Sequence, residues 1–308
     1  MNRVKNYLSL VKFAHTIFAM PFALIGFFIG IRSLPAFQGS SDDTQKLSGV
    51  YENTGMFFRE NWWIFLLVLG CMVFSRSAAM AFNRWLDANY DKKNPRTAKR
   101  EIPAGIIKPG NALWFVILNC IAFVTCCWFI NRICFYLSFV ALFVVLFYSY
   151  TKRFTALCHL VLGVGLSLAP IGAYLAVTGH FALLPILFSL AVLCWVSGFD
   201  IIYAMQDIEF DKELQLHSIP AAMGRKSALR VSVCLHGMAA ACVIYAGWAG
   251  HFGALYWIGV SFFIGLLIYQ HLLVKPHDLS KVNIAFFTTN GIASVIFAGF
   301  VILDMFLN

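Results

Sequence analysis

The sequence predicts an all-α polytopic membrane protein, with nine transmembrane helices around a central cavity and a pseudo-repeat relating helices 1–4 to helices 5–8. Three observations carry this prediction. Sixty per cent of the 308 residues are hydrophobic and only 12% are charged, a balance outside that of soluble domains. The charges are clustered, which leaves apolar runs long enough to cross a ~30 Å hydrocarbon core. The acidic residues also gather in two clusters that occupy equivalent places four spans apart.

Taken in order, the first span covers residues 13–31. It is too long for the apolar core of a secretory signal and no A-x-A site follows it, so no cleavable leader is expected. A polar stretch with SSDDTQ at its centre then reads as a solvated outer loop, about 32–61. The second span, 62–82, runs into an acidic-motif loop at about 83–111. Spans 112–130 and 133–150 are separated only by Asn131 and Arg132, which implies a tight hairpin. The fifth, 156–178, carries small residues suited to close helix packing. The sixth, 182–204, leads into a second acidic-motif loop at about 205–228. Spans 229–248, 253–273 and 284–304 complete a single integral membrane domain over residues 1–308.

The formal net charge of +9 follows from topology. With the amino terminus placed on the cytoplasmic side, the loops of that side hold 18 of the 23 Lys and Arg residues. The bias predicts an amino terminus and two acidic-motif loops facing the cytoplasm, with the carboxyl terminus outside. A basic cytoplasmic face accounts for the charge without nucleic acid. The nine cysteines form no CxxC and read as small buried hydrophobes, with neither disulfide nor metal expected. The eight histidines show no metal-ligand spacing and receive no role. No obligate protein partner is predicted.

The carboxylates are more informative. In NRWLDANYD, residues 83–91, the oxygen-bearing Asn83, Asp87 and Asp91 recur every four residues. On a helix each such step advances about 400°, so the three lie within about 80° of one another. GFDIIYAMQDIEFDKE, residues 198–213, repeats the spacing with Asp207 and Asp211. Asp200 stands two turns earlier on that stripe, inside the membrane boundary, where an ionised carboxylate is costly unless it faces a polar cavity. Two carboxylate pairs facing each other make an oxygen-rich site suited to Mg²⁺. Arg96, Lys99, Arg100, Lys152 and Arg153 lie between the clusters and can complete a diphosphate clamp. A charged mouth beside apolar walls points to an isoprenyl diphosphate. The alternative from another class is an ion or solute transporter using the same carboxylates. A parallel repeat with both clusters on one side favours an enzyme over that alternative.

These residues carry a resemblance. NRWLDANYD resembles the first aspartate-rich motif of the UbiA superfamily of intramembrane aromatic prenyltransferases, commonly NDxxDxxxD, and YAMQDIEFD resembles its second, DxxxD. RTAKREIPAG, residues 97–105 with the preceding Arg96, resembles that family's RTxxRPxPxG loop, and YSYTKRF at 148–154 its YxxxKR segment. GLSLAPIGAYLAVTG, at 165–179, falls where the family carries a similar span. One departure is Arg84, which stands where many members carry an aspartate. VKFAHTIFAMPFALIG and LHSIPAAMG resemble the 4-hydroxybenzoate polyprenyltransferase branch, part of which serves menaquinone synthesis with a dihydroxynaphthoate acceptor.

The resemblance implies Mg²⁺-dependent transfer of a polyprenyl group from its diphosphate to a ring carbon of an aromatic acid, in quinone biosynthesis at a bacterial inner membrane. It implies Asn83, Asp87, Asp91, Asp207 and Asp211 as metal ligands, and Arg96, Arg100 and Lys152 on the diphosphate. Arg153 is the first choice for the acceptor's carboxylate, and Arg76, within the second span, is a further substrate-binding candidate. Tyr148 and Tyr203 are placed to stabilise an allylic cation or orient the acceptor. Asp200 is placed to polarise the phenolic hydroxyl or take the ring proton.

Overall fold

The computed structural model describes residues 3–11, 19–34 and 43–308. Its first half runs through α1 (Arg3–Leu10), α2 (Met20–Arg32), α3 (Asp43–Leu86), α4 (Ala88–Lys93), α5 (Pro109–Ile130) and α6 (Arg132–Thr151). The second half comprises α7 (Cys158–Thr178), α8 (Leu183–Ala204), α9 (Ile208–Glu213), α10 (Ile219–Ala249), α11 (Ala254–Leu273) and α12 (Asn290–Leu307). Among the described residues eight helices are long and apolar enough to cross a membrane, one fewer than expected. The difference lies in the first span. Its described part, α2, has 13 residues, a rise of about 20 Å against a core of about 30 Å. Residues 13–18 of that span lie outside the described residues.

The outer segment differs too. Residues 43–61, expected as loop, belong to α3, and Asn61 bends that helix with φ −128° and ψ 22°. The polar composition concealed an apolar anchor: Phe57 is buried, and its ring stands 5.7 Å from that of Phe27 on α2. The other boundaries follow the sequence within a few residues, except that α10 begins at Ile219, ten residues before the span expected from 229, so the end of the expected loop over 205–228 is helical. The expected hairpin turns on Asn131, extended at φ −167°. Its side chain accepts from the Cys134 N–H at 2.8 Å, capping α6, and donates to the Leu175 carbonyl at 2.8 Å. At the far end of the chain the Asp304 carboxylate, buried in α12, accepts from the N–H groups of Gly253 (2.8 Å) and Tyr256 (3.1 Å), satisfying donors at the start of α11.

Helix α8 is apolar all round and packs centrally between α7 and α10. Its fully buried Trp195 touches the rings of Phe22 (5.3 Å) and Phe263 (5.8 Å), tying α2 and α11 to it. The Trp195 indole donates to Asn290 Oδ1 at 3.1 Å, and Gln270 donates to the same oxygen, a polar contact joining three helices inside the apolar core. By contrast α5 and α6 expose Trp114, Trp128, Phe129, Tyr136 and Phe143, the outward apolar surface of an integral membrane protein.

Helices α2 and α7 cross at Gly26 and Gly30. A Cβ at Gly26 would stand 2.0 Å from the Pro170 carbonyl oxygen, and one at Gly30 would stand 2.9 Å from Val177 Cβ. Only hydrogen permits this approach. Gly26→Val is expected to cost about 1–3 kcal/mol or more by overpacking, measured as a lower unfolding midpoint in detergent. An unchanged midpoint would mean that α2 and α7 do not pack this closely. A different glycine sets the second motif loop. Gly224, at φ 75° and ψ 165°, breaks α10 with a backbone conformation that L side chains rarely adopt.

Candidate active site

The two acidic motifs bend in the same way. α3 stops at Leu86, Asp87 takes φ −93° and ψ 8°, and the six-residue α4 follows with Asp91 buried. In the second motif α8 passes through a 3₁₀ turn, Met205–Asp207, where Asp207 takes φ −106° and ψ 10°; the six-residue α9 follows with Asp211 buried. This equivalence is the local form of the expected repeat. The single straight stripe is corrected by it, because aspartate is a weak helix former and both break points have side chains drawn sideways to a cation.

Both bends open onto one cavity of about 650 Å³. Every residue expected at the site lines it except Lys99 and Asp211. Asp211 is fully buried instead: Lys152 Nζ stands 2.7 Å from its Oδ1, and Ser218 Oγ donates to its Oδ2 at 2.8 Å. It therefore holds Lys152 and the start of α10, and its place among metal ligands is not the one expected. Below the charged mouth the cavity follows α7 from His159 to Ala176, a rise of about 26 Å, between apolar walls from α3, α5 and α6.

Each mouth carboxylate has a cation beside it. Arg96 grips Asp207 with two bonds, Nε to Oδ1 at 3.2 Å and Nη2 to Oδ2 at 2.6 Å, and gives a third to the Tyr203 hydroxyl at 3.1 Å. The first motif loop is thereby fastened to the second motif. Arg100 Nη1 reaches both Asp91 oxygens at 2.9 Å. Arg153 Nη2 donates to Asp87 Oδ1 at 3.2 Å and to the Leu86 carbonyl at 3.1 Å. Its guanidinium lies 5.3 Å from the Tyr90 ring and 5.4 Å from the Tyr150 ring. Burial pushes the Asp87 carboxyl above its ordinary value, and Arg153 opposes that rise. Burial works against the Lys152 ammonium, yet the Asp211 carboxylate leaves its pKa above the ordinary value.

Arg76 differs from these. It lines the cavity on α3, forms no ion pair among the described residues, and its Nε is buried without a hydrogen-bond partner. Arg84, the departure noted above, is buried and paired with Glu101, which also accepts from Ser9 Oγ at 2.5 Å. The charge of Arg84 is thus balanced within the first motif region.

Sequence reasoning missed three contributors. His159 was passed over with the other histidines, yet its Nδ1 lies 2.7 Å from Asp200 Oδ2. Its only local signal is a position six residues after Arg153, at the start of the next span. Phe286 and Phe287 reach the cavity through a π-helical turn, Ile284–Thr289, and Phe286 packs on Tyr203 with ring centres 4.2 Å apart. Of the nine cysteines expected as buried, Cys127, Cys134, Cys158 and Cys194 are buried, four are half-buried and Cys234 is exposed; Cys71 and Cys127 Sγ lie 3.6 Å apart.

The mouth offers oxygen donors only, the Asn83 amide with the Asp87, Asp91 and Asp207 carboxylates, which is the chemistry of a Mg²⁺ site. Among the described residues no three acidic, imidazole or thiol groups converge on one point. The donors suit ions bound by one or two carboxylates and completed by phosphate oxygens, the usual mode for Mg²⁺.

A model of the UbiA prenyltransferase family matches residues 55–292. The 4-hydroxybenzoate octaprenyltransferase of Tolumonas auensis is 33% identical over 236 residues, 76% of this chain and 82% of that protein. That of Nitrosospira multiformis is 32% identical over 240 residues, 78% of this chain and 82% of that one. The apo structure of a UbiA homolog from Aeropyrum pernix K1 superposes with a TM-score of 0.77 at 28% identity, covering 94% of this chain and 98% of that one. A UbiA homolog from Archaeoglobus fulgidus bound to DMAPP and Mg²⁺ has the same fold, with a TM-score of 0.69 at 19% identity over 98% of this chain and 100% of that one.

Proposed function

This chain belongs to the UbiA prenyltransferase family and is an aromatic prenyltransferase, and from that premise we propose that it joins a polyprenyl group to a ring carbon of a hydroxylated aromatic acid. The observation that carries the reading is one cavity with a mouth of paired carboxylates and cations and a long apolar body. The mouth fits a diphosphate and the body fits its hydrocarbon tail. Family membership removes the transporter alternative. The curated relatives named 4-hydroxybenzoate octaprenyltransferase support an acid of the 4-hydroxybenzoate type and a quinone-forming role. By the charge bias of the loops, the mouth faces the cytoplasm of a bacterial cell.

Asn83, Asp87, Asp91 and Asp207 would hold Mg²⁺, which neutralises the diphosphate as a leaving group. Arg96, Arg100 and Lys152 supply fixed positive charge to the same oxygens. The apolar walls keep water from the allylic carbon as its C–O bond breaks. Tyr203 lines the mouth between Phe286, with ring centres 4.2 Å apart, and the Arg96 guanidinium, 5.6 Å from its ring centre, and Tyr148 lines the same cavity from α6. Asp200 takes the proton of the acceptor's hydroxyl, which raises electron density on the attacking ring carbon. Arg76 is better suited than Arg153 to the acceptor's carboxylate. Arg153 is held by Asp87, the Leu86 carbonyl and two rings, although its Nε is also unpartnered, whereas Arg76 forms no ion pair and no side-chain hydrogen bond among the described residues.

The test is transfer of label from a radiolabelled polyprenyl diphosphate, with Mg²⁺, to 4-hydroxybenzoate and to 1,4-dihydroxy-6-naphthoate offered in parallel. Label is expected in a prenylated acid, and the product identifies the ring. Absence of transfer to either, in a folded preparation that binds the diphosphate, would overturn the acceptor assignment.

A further inference from the structure

We infer that His159 is a positioning residue for the acceptor's hydroxyl, acting by fixing one oxygen of Asp200 so that the other is presented to the ring oxygen. The inference rests on the proposed role of Asp200.

His159 lies in the first turn of α7 and is 2% exposed. Its Nδ1 is 2.7 Å from Asp200 Oδ2 on α8, and its Nε2 is 3.4 Å from the backbone nitrogen of Ile219, the first residue of α10. A backbone N–H can only donate, so Nε2 accepts and the ring proton resides on Nδ1, which donates to Asp200. One imidazole thus joins three helices at the cavity wall. The Ser197 hydroxyl lies 3.1 Å from the His159 carbonyl, although its shorter contact, 2.7 Å, is to the Leu193 carbonyl of its own helix. With Oδ2 held, Asp200 Oδ1 makes no hydrogen bond among the described residues, and Asp200 lines the cavity.

The pairing sets Asp200 apart. Asp87, Asp91 and Asp207 are each gripped by a guanidinium, which anchors them as anions beside fixed cations. Asp200 is the one cavity carboxylate in this set whose partner is an imidazole. That arrangement suits a group that takes up a proton and returns it.

The acceptor's O–H proton moves to Asp200 Oδ1, leaving its electron pair on the ring oxygen. The ring carbon forms a bond to the allylic carbon while the C–O pair departs with the diphosphate. The displaced ring C–H proton leaves with the diphosphate, and Asp200 returns its proton to the ring oxygen as aromaticity is restored. His159 moves no proton in this sequence; it orients the carboxylate.

The experiment compares His159→Asn, whose side-chain amide can still donate to Asp200, with His159→Leu, which fills the space without a donor. In the full-length enzyme, kcat/KM for the aromatic acid is expected to fall roughly 10- to 100-fold in the Leu variant, and to stay within about fivefold of wild type in the Asn variant. Direct Mg²⁺-dependent binding of the polyprenyl diphosphate should be unchanged in both. Asp200→Asn combined with His159→Leu should be no worse than Asp200→Asn alone, the non-additivity of residues acting as a unit. Equal impairment of the Leu and Asn variants, wild-type kcat/KM in the Leu variant, or diphosphate binding lost in step with turnover would each overturn the inference. Absence of transfer by the wild-type enzyme would instead overturn the proposed acceptor chemistry itself.

Discussion

Asp207→Asn is expected to reduce turnover at least about 100-fold, the scale on which removing one preorganised charge acts, while the protein stays folded in detergent. The expectation follows from where this carboxylate sits. It closes the 3₁₀ turn after α8 at the cavity mouth and is gripped through two bonds by Arg96. Asparagine preserves its shape and one acceptor oxygen but deletes the anion. Arg96 then keeps Tyr203 and one neutral acceptor, and the mouth loses an anionic ligand from the second motif. Asp87→Asn should behave alike, since Asp87 occupies the matching bend of the first motif. Asp211→Asn provides a contrast. It leaves Lys152 beside a neutral amide in a buried place, so its first effect is expected on stability. Initial rates and unfolding midpoints measured on all three variants separate these effects. Near-wild-type rates in both Asp207→Asn and Asp87→Asn would remove the metal assignment.

Arg76→Gln is expected to raise the acceptor's KM roughly 10- to 100-fold, the range for a lost hydrogen bond to a charged group, with little change in affinity for the diphosphate. A guanidinium inside a membrane span is costly without an anion. Arg76 has no carboxylate within ion-pair distance among the described residues and keeps a buried Nε unpartnered. It stands eleven residues before Asp87 on α3, about 16 Å deeper by helical rise, and so away from the mouth where the diphosphate charge collects. A carboxylate on the second substrate supplies the missing partner. Steady-state kinetics with each substrate varied in turn decide this. An effect confined to the diphosphate's KM would move Arg76 to the other substrate and return the acceptor's carboxylate to Arg153.

The parts legible in the sequence were those set by local periodicity. Apolar runs located the spans, Asn131 and Arg132 marked the hairpin, and the repeated spacing of Asp87–Asp91 and Asp207–Asp211 brought two distant segments to one cavity. What stayed hidden depends on tertiary contact. The helix over 43–61 was masked by its polar composition, and it is held by Phe57 against Phe27, a pairing that no local pattern announces. Asp211 shares its spacing with Asp91, but Lys152 and Ser218 arrive from elsewhere in the chain and withdraw it from the cavity. His159 is one apolar-segment histidine among several until α8 places Asp200 beside it. Arg84 looks anomalous in the sequence, and only the fold shows Glu101, 17 residues on, as its partner.

The central claim is that the mouth binds a metal-complexed diphosphate. The most direct measurement is a calorimetric titration of the purified wild-type protein with an unreactive thiolodiphosphate analogue of a polyprenyl diphosphate, with Mg²⁺ and then with excess EDTA. Saturable binding that requires Mg²⁺ and is lost in Asp207→Asn is the predicted result. Equal affinity in EDTA, or no saturable binding by folded protein with Mg²⁺ present, would contradict the account.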